Sequence, residues 1–332
     1  MAVKIAINGF GRIGKNVFKI ALEKGKEVEV VAINDLSDVK TNAHLLKYDS
    51  AYGVYEKNVG FDEKNLIVEG KKIPYYSIAE VAKLPWKKLG VDVLLECTGK
   101  FTEALSAGGN LSAGAKKVII SAPSKGEGIP TVVIGVNDDS PKAKASIVSN
   151  ASCTTNCIAP VMKVLSDEFG VKKAVMTTIH SYTMDQRLLD NSHKDLRRAR
   201  AAAANLIPTT TGAAVATTKT IAGLEGKFDG LSIRVPTLSV SVSDITAVLG
   251  KKVTKEQVNE AFVKASKQLR FKGVLGVTSE PLVSSDFKKS AFSAVVDLPL
   301  TYVVDGDLVK VIAWYDNEWG YSNRLIELAM QK

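Results

Sequence analysis

The segment Ala151-Ser152-Cys153-Thr154-Thr155-Asn156-Cys157 sets a cysteine where small and hydroxyl residues give way to the apolar, helix-like run 161–170. That texture marks a helix start, so Cys153 belongs at a helix N-terminus, where aligned peptide dipoles stabilise a thiolate. A thiol of pKa ~8.5 is only about 3% ionised at pH 7, and lowering it to ~6 raises the thiolate fraction roughly thirtyfold. A nucleophile of this kind needs a base, and the chain has three histidines to offer. His44 falls inside a helix-like stretch and His193 inside a charged tract, whereas His180 closes an apolar strand-like run and opens the polar turn Ser181-Tyr182-Thr183-Met184-Asp185. Site residues collect at strand ends, which makes His180 the candidate general base. For Cys153, spacing alone leaves a nucleophile and a small buried side chain both open. Cys157, one turn further along the same face, and Cys97 read as small buried hydrophobes.

A second constellation lies near the N-terminus. Gly9-Phe10-Gly11-Arg12-Ile13-Gly14 follows the apolar run VKIAI (3–7) and precedes an amphipathic stretch over 15–25. The first glycine permits a tight turn and the second lets backbone approach a pyrophosphate. The third lets the helix pack close to the strand, with phosphates seated on the helix N-terminus. The next apolar run, 27–34, leads into Asp35, 21 residues after Gly14. An acidic side chain there accepts hydrogen bonds from an adenosine ribose. A glycine turn that merely packed would not need this acid. Its charge repels a 2′-phosphate, so the pattern reads as NAD binding rather than NADP.

The elements that must position these residues differ between the two halves of the chain. In the first half, short Val- and Ile-rich runs (3–7, 27–34, 91–97, 116–121, 131–136 and 145–150) alternate with helix-like stretches at 15–25 and 41–50. Strands apolar through most of their length and separated by helices indicate a parallel sheet covered on both faces. After about residue 150 the runs 172–180, 231–250, 291–304 and 307–316 are longer and alternating, with Asp305-Gly306 as a hairpin turn between the last two. Thr254 and Gln257 form a capping-box pattern ahead of a helix-like stretch, and 319–332 is helix-like again. This half reads as a mixed or antiparallel sheet with helices.

At 332 residues the chain suits two domains at roughly 150 residues each. With 45% hydrophobic and 24% charged residues, wholesale disorder and fibrous classes are excluded. Three scattered cysteines and three histidines suit neither a disulfide framework nor a zinc module, so no metal is expected. No apolar window approaches ~18 residues and no leader pattern opens the chain, so no membrane association is expected and the location is read as cytoplasmic. The formal charge of +9 comes without an aromatic-interleaved basic tract, and it reads as a solvated lysine-rich surface with no specific nucleic-acid partner.

Taken together, INGFGRIG, SNASCTTNC, HSYT, DLRRARAAAANLIPTTTGAA, RVPT and WYDNEWGYS resemble the phosphorylating glyceraldehyde-3-phosphate dehydrogenases, from residue 3 to about residue 330. The resemblance implies a Rossmann-type doubly wound parallel sheet domain plus an α+β catalytic domain with a largely antiparallel or mixed sheet. It makes the first domain discontinuous, 1–150 with 317–332, and the catalytic domain 151–316. It implies oxidation of glyceraldehyde 3-phosphate by NAD and inorganic phosphate, through a thiohemiacetal and a thioester on Cys153, with His180 withdrawing the proton. The backbone N–H of Cys153 and protonated His180 would hold the oxyanion. Thr183, Asp185, Arg198 and Arg234 match positions that hold the substrate phosphate, and Ser152, Thr211, Gly212 and Arg234 the inorganic phosphate; Thr154 belongs to the same substrate and phosphate group. On the cofactor side Gly9, Gly11, Arg12, Ile13 and Gly14 match the pyrophosphate turn and Asp35 the ribose. Thr98, Gly99 and Phe101 match the adenine side, Ser121 the region of the nicotinamide ribose, and Asn317 and Tyr321 the nicotinamide ring. A homotetramer is implied as well.

The chain also departs from the pattern. Asn191-Ser192 stands where NAD-specific members usually carry Leu-Pro, and an arginine often found beside the adenine aligns with Ala79. With Asp35 retained, this predicts NAD preference with weaker NADP use. Erythrose-4-phosphate dehydrogenase is the neighbouring enzyme alternative, although that branch alters the HSYT and TTTG segments kept here. A weak, salt-sensitive RNA-binding role is the alternative from another class.

Overall fold

VKIAI becomes the strand Val3–Asn8 at the middle of an eight-stranded sheet in a computed structural model that describes residues 1–331. Across that sheet the order is Ile147–Ser149, Lys117–Ile120, Val93–Glu96, Val3–Asn8, Val28–Asn34, Lys71–Tyr76, Asn65–Val68 and Val59–Phe61. The first six pair in parallel. Their central strands are apolar along most of their length because both faces are buried, and Ile5, Ala6, Ile7, Leu94, Val118 and Ile120 are all at 0% exposure. The last two strands run antiparallel, an extension that the alternation of strands and helices did not announce. Both strands are short, and the outermost, Val59–Phe61, carries Gly60, a residue type that weakens an exposed edge as a template for further pairing.

One expected strand is absent. Residues 131–136 contribute only an isolated bridge from Thr131 to Ser149 before entering a turn over 134–139. There the Val133 and Gly135 N–H groups donate to Asn137 and Asp138 side chains, both at 2.8 Å, rather than to a neighbouring strand. The run is apolar because Val133 and Val136 join the core built around Met162 and Phe271. Helix positions also shift at their ends: the first helix begins at Arg12, and the second spans Val39–Lys47 behind Asp38, whose carboxylate caps the Thr41 N–H.

By chain contacts the molecule forms two units. One comprises Met1–Val132, Asp139–Ala151 and Ser322–Lys332, the other Val133–Asp138 and Ser152–Tyr321. Relative to boundaries at 150/151 and 316/317, residues 133–138 and 317–321 go with the second unit and Ala151 with the first.

The second unit is built on a sheet ordered Ile207–Thr210, Phe228–Val235, Val171–Ser181, Ser241–Leu249, Leu308–Tyr315, Ala294–Asp297 and Leu275–Thr278. Tyr302–Val304 pairs alongside Leu308–Tyr315 through the Asp305-Gly306 hairpin, where both residues take positive φ. The helix Cys153–Phe169 lays Ile158, Val161, Met162 and Leu165 into a core shared with Met176, Ile245 and Val311. Thr254 and Gln257 do form a reciprocal capping box. The long run 231–250 breaks into two strands, because Pro236 lacks a ladder donor and Val240 turns out of the extended region.

Candidate active site

Cys153 is the first residue of its helix. Ser152 caps that helix, its Oγ accepting from the Thr155 N–H at 3.0 Å. His180 stands one residue from the end of the strand Val171–Ser181, in parallel register with Arg234 on the neighbouring strand. The fold thereby brings together residues 27 positions apart, with Cys153 Sγ 3.4 Å from His180 Nε2. On the other side of the ring, Nδ1 lies 2.6 Å from the Ser181 carbonyl oxygen and 2.5 Å from Arg234 Nη1.

Those two partners make opposite demands. A carbonyl only accepts and a guanidinium only donates, so Nδ1 cannot satisfy both. With its proton on Nδ1, His180 donates to Ser181 and offers the Nε2 lone pair to the Cys153 thiol, which is the arrangement of a general base. With Arg234 donating to Nδ1, the proton must sit on Nε2 instead. The Ser181 carbonyl also accepts from Arg234 Nη1 at 3.3 Å, so the guanidinium has a second acceptor beside the ring.

Burial, reinforced by Arg234, pushes the His180 imidazole down to about 3. Burial also raises the Cys153 thiol, and Arg234 and Thr154 offset that only in part. The pair therefore rests as neutral thiol and neutral imidazole. This reverses the sign expected from the helix N-terminus alone, because desolvation outweighs the helix end. Cys157 is fully buried and burial raises its thiol as well; half-buried Cys97 is pushed up to about 12, first by burial and then by Glu96. Neither is an activated thiol.

Around this pair the structure gathers part of the expected anion-binding set. Thr183 donates to Asp185, and Asp185 Oδ2 accepts from Arg198 Nη1 at 2.5 Å. Arg198 is fixed further by Thr209 Oγ1 at 2.8 Å and the Thr210 carbonyl at 3.2 Å. Although burial raises it, the Asp185 carboxyl is held below the usual range by Thr183, Arg234 and Arg198. Arg234 Nε is buried without a partner, an orphaned donor suited to an anion. Other members are occupied locally. The Thr211 hydroxyl accepts from the Ala213 N–H at 3.2 Å, Gly212 is the N-cap of the short helix Ala213–Thr218, and the Thr154 hydroxyl bonds the Tyr315 phenol at 2.9 Å.

Tyr315 is a residue that sequence reasoning passed over. Its buried phenol bridges Thr154 on the cysteine helix and Thr178 (2.8 Å) on the histidine strand. The sequence offers only an aromatic at the end of an alternating strand, which looks like any core tyrosine. Two residues on, Asn317 is buried and its Oδ1 accepts from Ser241 at 3.0 Å, while Tyr321 is buried in the final helix.

In the first unit the dinucleotide signature folds as its glycines require. A Cβ on Gly9 would stand 2.6 Å from the Thr98 nitrogen and one on Gly14 2.1 Å from the Gly9 carbonyl oxygen, whereas Gly11 faces open space. The helix starting at Arg12 is preceded by Gly11, which has no side chain to cap it, the setting in which a helix N-terminus takes a pyrophosphate. Asp35 is fixed by the Phe10 N–H at 2.6 Å and the Ser37 N–H at 2.8 Å. Gly9, Gly11, Asp35, Thr98 and Phe101 line one cleft of about 360 Å³ together with Ala79 and Cys97. Its floor is a buried network in which Glu96 accepts from Asn8 at 2.5 Å and from the Thr98 N–H at 2.9 Å. Gly99 turns beside it at positive φ, and the Ser121 N–H bonds the Glu96 carbonyl at 2.9 Å. Arg12 is turned to Asp49, 2.9 Å away, and Ile13 is half-buried. An open glycine turn, a helix start with no side-chain cap and a fixed acid fit an NAD-type dinucleotide. Among the described residues no cluster of side chains suits a metal, and no helix is long and apolar enough to cross a membrane.

Comparisons with known proteins agree with this geometry. Residues 3–104 match the family model for the NAD binding domain of glyceraldehyde 3-phosphate dehydrogenase, and residues 152–317 match that for its C-terminal domain. The chain is 54% identical over 330 residues to glyceraldehyde-3-phosphate dehydrogenase of Geobacillus stearothermophilus, covering 99% of this chain and 98% of that protein. It is 51% identical over 331 residues to the Streptomyces coelicolor protein of the same name, covering 99% and 98%. With a chloroplastic glyceraldehyde-3-phosphate dehydrogenase of Arabidopsis thaliana it shares 52% over 329 residues, covering 98% and 83%.

Proposed function

The chain belongs to the glyceraldehyde-3-phosphate dehydrogenase family, and from that premise we propose that it oxidises glyceraldehyde 3-phosphate, with NAD and inorganic phosphate, to 1,3-bisphosphoglycerate. The observation that carries the reading is Cys153 Sγ standing 3.4 Å from His180 Nε2, with Arg234 against the same ring. His180 accepts the thiol proton as sulfur adds to the aldehyde carbon and returns it to the resulting oxyanion, giving a thiohemiacetal and a neutral imidazole. The Cys153 N–H, first in its helix, faces the developing oxyanion. Bound NAD supplies the hydride acceptor. As the hydride leaves, His180 takes the hydroxyl proton and the adduct becomes a thioester. A phosphate oxygen then attacks the carbonyl carbon and Cys153 departs as thiolate. Positioned proton transfer of this kind contributes about 10²–10⁴-fold.

Arg198, Thr183 and Asp185 serve the substrate phosphate in this reading, and Arg234, with its free Nε, is shared with inorganic phosphate; arginine forks suit both. Ser152, Thr211 and Gly212 present hydroxyl and backbone donors to the latter. Asp35 selects NAD, while Asn191-Ser192 and Ala79 leave weaker NADP use. The same reading carries a homotetramer in the cytoplasm, which sedimentation and cell fractionation test. The decisive assay is the initial rate of NADH formation with phosphate present and then omitted, run beside Cys153→Ser. We expect dependence on phosphate, no turnover in the variant, and unchanged NAD binding by titration. Full activity in Cys153→Ser would overturn the nucleophile, and faster turnover of erythrose 4-phosphate would overturn the substrate.

A further inference from the structure

The ladder between the strands Val171–Ser181 and Ser241–Leu249 stops at Ile179 and Val242, two residues short of where Ser181 and Val240 would pair. Val240 is 2% exposed and sits at φ +71°, a region that a β-branched residue rarely adopts and keeps only where its surroundings hold it. Here the holding contact is explicit. The Val240 carbonyl accepts from Ser181 Oγ at 2.7 Å, so the side chain takes the place of a ladder bond. The Ser181 N–H, released from the ladder, donates to Ser241 Oγ at 3.2 Å. Ser241 in turn donates to Asn317 Oδ1 at 3.0 Å.

This chain has a fixed direction. A backbone N–H can only donate, so Ser241 Oγ receives one proton and must place its own on an acceptor. Asn317 provides that acceptor only with its amide oxygen turned inward. In the flipped orientation two donors would point at Ser241, and its buried hydroxyl proton would be stranded. The Nδ2 group, which makes no hydrogen bond among the described residues, is therefore the face offered to a ligand.

We propose that Ser241 is a specificity-determining positioning residue: through Ser181 and the Val240 turn it locks the Asn317 amide so that the site selects a cofactor ring carrying a hydrogen-bond acceptor. The inference rests on the assignment of Asn317 to the nicotinamide ring. It goes further in stating what sets the polarity of that contact and which ring substituents are refused.

Equilibrium titration of the protein with two ring analogues of NAD tests it without turnover. The acetylpyridine dinucleotide keeps a ring carbonyl and lacks an amide donor, while the aminopyridine dinucleotide presents a donor in its place. The wild type binds the first about tenfold more tightly, the effect of one hydrogen bond against an unpaired donor. Ser241→Ala frees the amide to turn and brings the ratio near one, and Ser241→Thr, which keeps the hydroxyl, restores it. Asn317→Asp, acceptor only on its ligand side, inverts the preference, and that result stands even where Ser241→Ala does not fold. A wild-type ratio retained in Ser241→Ala but lost in Asn317→Ala overturns the role of Ser241 alone. A ratio retained in Asn317→Ala shows that Asn317 is not at the ring, and the assignment falls with it.

Discussion

One nitrogen of His180 meets both the Ser181 carbonyl and the Arg234 guanidinium, and the ring's basicity depends on which of them it serves. An anion that draws Arg234 away removes a positive charge from the imidazole and leaves Nδ1 to donate to Ser181. Arg234→Leu, or saturating phosphate, should therefore raise the His180 pKa from about 3 toward the ordinary 6.5. Ring-carbon NMR titration checks this, and three histidines keep the spectrum assignable. A ring already titrating near its ordinary value, unmoved by the substitution, would refute it. Linkage fixes the sign for stability. The folded value is depressed, so below pH 6.5 the unfolded chain binds a proton that the native state refuses. His180 thus costs stability increasingly as pH falls from 6.5 toward about 3, and nothing above 6.5. Melting temperature against pH for His180→Asn should fall less steeply than the wild type across that window. The element ends that carry Cys153 and His180 were legible from residue type and spacing, which still left Cys153 open between a nucleophile and a small buried side chain until the family resemblance entered. Arg234 against the ring was not, since a cross-strand register decides it.

Elements carry what residues cannot declare. Tyr315 ties the cysteine helix to the histidine strand through two buried hydroxyls. Tyr315→Phe keeps the ring and removes the phenol from both threonines, leaving Thr178 only the long contact to the Val242 carbonyl at 3.5 Å, which should cost about 1–3 kcal/mol in urea unfolding. If the brace sets the sulfur–imidazole spacing, the pH profile of Cys153 alkylation should shift and kcat should fall more than KM changes. A variant with lower stability but an unaltered alkylation profile would reduce Tyr315 to packing. The strands and helices flanking Cys153, His180 and Gly9–Gly14 were readable from periodicity and caps. The run 131–136 was misread because burial, not pairing, makes it apolar, and periodicity cannot separate the two. Break points within 231–250 depend on Val240, whose backbone is held by a tertiary contact with Ser181.

At the scale of the molecule, length gave two units, and the resemblance gave their discontinuity. The placement of 133–138 with the second unit follows from which core buries Val133 and Val136, and no local signal encodes that. The charge of +9 has a use that follows from its distribution. Two arginines that the proposed reading gives to phosphates are locally paired, Arg12 with Asp49 and Arg198 with Asp185, so in that reading they act by geometry more than by long-range field. The surplus is spread over surface lysines and acts at a distance, where salt screens it over about 10 Å at 0.1 M. Encounter with a doubly charged phosphorylated aldehyde should therefore weaken as salt rises, while an uncharged aldehyde feels no field. Raising salt from about 50 to about 200 mM should lower kcat/KM for glyceraldehyde 3-phosphate severalfold and leave that for unphosphorylated glyceraldehyde nearly flat. Equal loss on both substrates would mean that salt acts on the fold or on NAD, and the steering account would fail. RNA met by the same diffuse surface should bind weakly and with a steep salt slope, so tight sequence-specific binding at physiological salt would require a built site rather than a field.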